Sequence, residues 1–199
     1  GGIHANGTVT LTDVTLNSNS GSNGGGLWLS GDGDVLRISV DDNTASSNGG
    51  GSYVSGTLSA KHATFNSNAT GSNGGGLWFN GGLDLDSSNV DLNSAGNNGG
   101  GIYGDGDLNI TYSNVDDNDG DNDGGGLWWG SGQITVERSQ IRRNHASRGG
   151  GAFILAVNPI FQFDEISSND AVTIGGGMYI SKQADASSTP IIFNSTIVY

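Results

Sequence analysis

Gly74-Gly75-Gly76-Leu77-Trp78 stands near the middle of the chain, and close copies of it recur on both sides. GGGLW also begins at Gly24 and Gly124, GGGSY at Gly49, GGGIY at Gly99, GGGAF at Gly149 and GGGMY at Gly175, with a partial copy, GGIH, at Gly1. From Gly24 to Gly149 each copy follows the last by 25 residues, and the final step is 26. A fixed period of this size marks a solenoid, in which each repeat is one coil that buries its inner face only against its neighbours.

Outward from the glycines, each coil reads as two arms. The first is an apolar–aromatic–apolar triplet such as Leu77-Trp78-Phe79. Strand alternation sends its outer two residues to one face and the aromatic to the other. A polar turn follows, as in Ser30-Gly31-Asp32-Gly33-Asp34 or Gly104-Asp105-Gly106-Asp107. The second arm ends in apolar-x-x-Asn, repeated at Leu16…Asn19, Val40…Asn43, Phe65…Asn68, Val90…Asn93, Val115…Asn118, Ile141…Asn144 and Ile166…Asn169. Five residues before each anchor lies a row of Leu11, Val35, Ala60, Leu85, Ile110, Val136 and Phe161. Two residues before it the row is small or apolar, with Asp164 as the exception. A polar run such as Ala69–Asn73 leads into the next glycines. The last coil departs through a longer turn at Lys182–Thr189, after which Ile192, Ser195 and Ile197 rejoin the rows.

No segment keeps a helical apolar period, and glycine is too frequent for helix interiors. The pattern therefore predicts an all-β right-handed parallel β-helix of about eight 25-residue coils. Coils stacked at strand spacing, roughly 4.8 Å, would build a rod on the order of 40 Å long. Both ends fall inside repeats and show no cap. Residues 1–199 are thus expected to be a single β-solenoid segment, part of a longer solenoid or stacked end to end.

Composition fits this reading. Only 33% of the 199 residues are hydrophobic, lean for a compact two-layer domain but enough for a thin inner row per coil. Glycine is abundant at 37 residues yet periodic, and proline is rare at 2, which excludes a flexible linker and collagen. The net charge of −13 repels nucleic acid and anionic membranes. The absence of cysteine removes disulfides and thiolate metal sites. No apolar run approaches the ~18 residues of a membrane-spanning helix.

The paired motifs, Phe65-Asn66-Ser67-Asn68 with Gly75-Gly76-Leu77 and their counterparts in the other coils, resemble the polymorphic outer-membrane protein repeat. They are similar also to bacterial surface proteins built of right-handed parallel β-helix repeats. The resemblance implies secretion, an extracellular or cell-surface location and a structural or adhesive role. A third glycine and an aromatic stand where that motif usually has Gly-Gly-Ala.

Four features are candidates for function. The Asn row (Asn19, Asn43, Asn68, Asn93, Asn118, Asn144, Asn169) reads as a structural ladder satisfying turn backbone between coils. The aromatic row (Trp28, Tyr53, Trp78, Tyr103, Trp128, Phe153, Tyr179, preceded by His4) reads as an outward stack. It offers a wall to other copies of the chain or, alternatively, stacking surfaces to a surface polysaccharide or a neighbouring cell. Trp129 falls in an inward row. Asp119, Asp121, Asp123 and Gly124 fit the start of a calcium loop, D-x-D-x-D-G, but the bidentate Glu is missing because position twelve is Gly130. A solvated turn is the favoured reading there, and no cofactor is required. Catalysis has little support. Arg142, Arg143, His145 and Arg148 form the one basic patch, with Asp116 and Asp117 a coil below as ion-pair partners. The fibre body is therefore read as non-enzymatic, against two rivals: a carbohydrate-binding module and a polysaccharide-degrading enzyme.

Overall fold

The computed structural model of the protein describes residues 1–155, 158–181 and 189–198. Most of the Lys182–Thr189 turn lies outside them. The described residues are all β, in parallel sheets that wind as a solenoid. One coil shows the plan: Leu77–Asn80 runs along a first wall, Leu83–Asp86 a second, Asn89–Asp91 a third and Ser94–Ala95 a fourth. The first and second walls hold eight strands each, the fourth seven. The third holds five, extended toward the start by single bridges from Thr15 through Ser39 and Thr64 to Asn89. Eight first-wall strands bound seven complete turns, so the chain closes about seven coils where eight were expected.

Register does not slip between coils along the first wall. Leu77 pairs with Ile102 and Trp78 with Tyr103, and Leu127 continues the row from Ile102. Leu27, Leu77, Ile102 and Leu127 are fully buried, and so are Leu85, Ile110, Val136 and Phe161 on the second wall. The fourth wall adds a row not foreseen: Ala45, Ala95 and Ala146 turn inward from what reads as a polar run.

Three left-handed corners recur from coil to coil, and some coils add a fourth in the first turn, at Gly7, Gly106, Gly132 and Asn158. Of the three recurring corners glycine occupies one, at Gly74 (φ +69°) and its equivalents. The other two fall on ordinary residues, such as Tyr112 (φ 51°) and Leu92 (φ 60°), whose backbone the flanking strands hold in place. The two glycines after Gly74 answer to space rather than dihedral freedom. A methyl on Gly75 would overlap the carbonyl oxygen of Gly100 and stand 2.6 Å from that of Ser94. One on Gly76 would stand 2.8 Å from Gly101 O and 3.0 Å from Asn93 Nδ2. The triplet thus marks where a coil's backbone lies against the next coil.

Trp129 is resolved by its neighbour. It is fully buried, and Gly104 is its partner in the preceding coil. A methyl there would lie 2.5 Å from the indole Cζ3. The indole N–H donates to Gly106 O at 2.8 Å, so the one polar atom of the side chain is satisfied.

Candidate binding surface and the ladders behind it

The aromatic wall follows from alternation in the first-wall strands. Leu27 and Leu29 point into the core and Trp28 between them points out, half-buried by its neighbours. Rings stack from His4 to Trp128 with interplanar angles of 2–18°. Their spacing alternates. His4–Trp28, Tyr53–Trp78 and Tyr103–Trp128 lie 4.1, 4.2 and 4.3 Å apart, whereas Trp28–Tyr53 and Trp78–Tyr103 lie 6.1 and 6.3 Å apart. Each Trp closes on the ring of the preceding coil, so the stack is a series of pairs. A second stack joins Phe153 to Tyr179 at 4.8 Å. Phe153 keeps the outward register of Trp128 and Tyr179 but is covered. It is only 4% exposed, and the Arg148 guanidinium lies 5.0 Å over its ring.

This geometry sets what the wall can do. Ring faces are turned along the solenoid axis and occupied by one another, so the wall presents ring edges outward. A gap of 6.1–6.3 Å admits no third ring, which needs carbon–carbon contact of about 3.5–4.0 Å on each side.

Behind the wall, the predicted Asn ladder runs through the interior from Asn19 to Asn169. Asn93 shows its bonding. Its Nδ2 donates to Phe65 O at 2.8 Å in the preceding coil and to Asn118 Oδ1 at 2.9 Å in the next. Its Oδ1 accepts the backbone N–H of Asn68 at 2.9 Å and Asn68 Nδ2 at 3.0 Å. Asn43, Asn68, Asn118 and Asn144 repeat this arrangement. Asn169 reaches back to Ile141 O, and Asn19, half-buried, starts the ladder on Asn43 Oδ1.

Three further ladders escaped the sequence reading. In the row taken as small or apolar, Ser88, Ser113 and Ser139 are buried and each accepts a backbone N–H from the coil before. Nearer the surface, Asn48, Asn73, Asn98 and Asp123 donate their backbone N–H to the Asx carbonyl oxygen of the coil before, beginning at Asn23. On the third wall Asp41, Asn66, Asp91 and Asp116 likewise donate their backbone N–H to the Asx side-chain oxygen of the coil before, beginning at Asn17. The signal was present as Asx or Ser recurring at the coil period.

The basic patch is consumed by ion pairs across coils. Arg142 meets Asp116 at 2.7 Å, Arg143 meets Asp117 at 2.8 Å, Arg148 meets Asp123 at 2.7 Å and His145 meets Asp170 at 2.9 Å. Asp91, half-buried below Asp116, has its carboxyl pushed up to about 6 by burial and then by the Asp116 charge. Asp119–Asp123 is a strand of the fourth wall. Asp123 is held by Arg148, and Asp119 and Asp121 stand exposed along that strand. Among the described residues no three His, Asp or Glu side chains gather as a metal site requires. No helix there is long and apolar enough to cross a membrane.

No family model matches the chain, and no curated protein or solved structure matches it.

Proposed function

We propose that this chain is a structural or adhesive extracellular β-solenoid, the repeating body of a cell-surface fibre. On this reading it meets other copies of itself, or other surface proteins, through the aromatic wall, and coil continues onto coil along the axis. The observation that carries the reading is the stack itself. The Asn column bonds coil to coil along the solenoid, and aromatic stacks and a shorter Ser column add to it, which is the chemistry of a rod. The likeness of the Asn and Gly-Gly motifs to surface β-helix repeats supports the same placement. Its net charge of −13 suits a soluble exterior.

Carbohydrate binding through the wall is the weaker reading, because sugars stack on free ring faces and here the faces are spent. A polysaccharide-degrading enzyme is weaker still. Asp91 and Asp116 are register partners on one wall, and Asp116 is tied to Arg142 and Arg143.

Tryptophan fluorescence of the full chain separates these readings. With increasing protein concentration, emission from Trp28, Trp78 and Trp128 is expected to shift to the blue as the wall is covered. Added surface polysaccharides are expected to leave it unchanged. A saturable response to a polysaccharide, with none to protein concentration, would replace the fibre reading with a lectin.

A further inference from the structure

We infer that Asp164 makes the solenoid tighten in acid: protonation of its carboxyl completes the inner serine ladder, whereas ionisation leaves a bare charge in the core. The ladder's serines each do two jobs. Their oxygen accepts a backbone N–H from the coil before, and their hydroxyl donates to the carbonyl two residues earlier in their own coil. Ser88 donates to Asp86 O at 2.8 Å, Ser113 to Thr111 O at 2.8 Å, Ser139 to Glu137 O at 2.9 Å and Ser195 to Phe193 O at 3.1 Å. Asp164 occupies the ladder position between Ser139 and Ser195. It does the first job, its Oδ1 accepting the Ser139 N–H at 2.9 Å. It can do the second only as the acid, because a carboxylate has no proton to give.

The structure leaves that second job open. Asp164 is 3% exposed, and its Oδ2 is buried with no hydrogen-bond partner. The coil before brings the Ser139 N–H to its Oδ1, the next coil brings the Ser195 hydroxyl oxygen to its backbone N–H, and neither brings a compensating charge. The charged side chains on the elements packed around it, Glu137 and Arg138 in the coil before and Glu165 beside it, face outward. Arg138 pairs with Glu137. Burial therefore dominates and pushes the Asp164 carboxyl up to about 6, against the pull of the Ser139 and Gln162 backbone. The ordinary value is 3.8, so the folded chain holds this proton about a hundredfold more tightly than the unfolded chain. For an acid raised in this way, the stability is fully present below about pH 3.8 and is lost as pH rises through about 6.

Asp164→Ser, which restores the ladder's hydroxyl, is the direct test. Asp91 titrates in the same window, so the comparison is made in an Asp91→Asn background. At about pH 8 the Asp164→Ser chain is expected to melt higher than its parent by about 5 °C or more, and the gap is expected to narrow to about a third by about pH 4.5. Asp164→Asn, neutral and nearly isosteric, is expected to show the same pH dependence. A carboxyl carbon resonance of Asp164 titrating near 6 would agree. A gap of equal size at both pH values, a variant that melts lower at high pH, or a carboxyl titrating in the ordinary Asp range would each overturn the inference.

Discussion

Asn93→Ala is expected to lower the melting temperature by roughly 10 °C, a loss of about 4 kcal/mol. Truncation removes the acceptor of the Asn68 N–H and the donor to Phe65 O, both inside the solenoid. Each backbone group left without a partner and away from water costs about 1–3 kcal/mol. The small cavity left by the amide adds to this, since the surrounding backbone is fixed by two neighbouring coils. Asn66→Ala is the matched control. Its Oδ1 accepts the Asp91 N–H at 3.1 Å, but it is half-exposed, so water can take its place. That change is expected to cost less than about 1 kcal/mol. Calorimetry on the two variants checks the contrast, and equal melting temperatures would show that the inner ladder adds nothing.

Gly75→Ala is expected to be nearly as damaging, at roughly 3 kcal/mol. The new methyl would meet the carbonyl oxygen of Gly100 and, at 2.6 Å, that of Ser94, and no side chain can rotate away. The coil would have to part from the next one along its first wall. Gly82→Ala supplies the comparison, because its methyl would stand 3.2 Å from Thr57 Cγ2, on a side chain that can turn, and 3.6 Å from Asp107 O, an ordinary van der Waals contact. Denaturant unfolding of the pair is expected to show a large loss for the first and little change for the second.

These two positions also show how far the sequence could be read. The Asn column and the glycine triplet recur at the coil period with identical residues, because their side chains, or lack of them, touch the next coil. The inward rows at Leu27, Leu77 and Leu127 were legible for the same reason. What escaped notice was carried by backbone. The left-handed corners fall on Arg37, His62, Tyr112 and Phe163, which share no chemistry because only their φ is constrained. The fourth wall reads as a polar turn in the sequence, since a single small inward residue per coil, Ala95 in one and Thr70 in another, gives no alternation to follow. The Ser row recurs at the coil period, but the recurrence alone does not separate small bulk from hydrogen bonding. At Trp129 the sequence posed a question whose answer, Gly104, lies 25 residues away in the partner strand. In the candidate surface, the column of aromatics was evident, but the direction of the rings was not. Nor was the cover that Arg148 gives Phe153.

That ring direction is what favours a fibre over a sugar platform, and the fibre is open to direct observation. Electron microscopy of the full chain, combined with diffraction from oriented samples, is the closest test. Slender rods of constant width are expected, associating along their length, with a reflection near 4.8 Å along the rod axis. Compact, dispersed particles that neither extend along an axis nor associate through a wall would contradict the proposal.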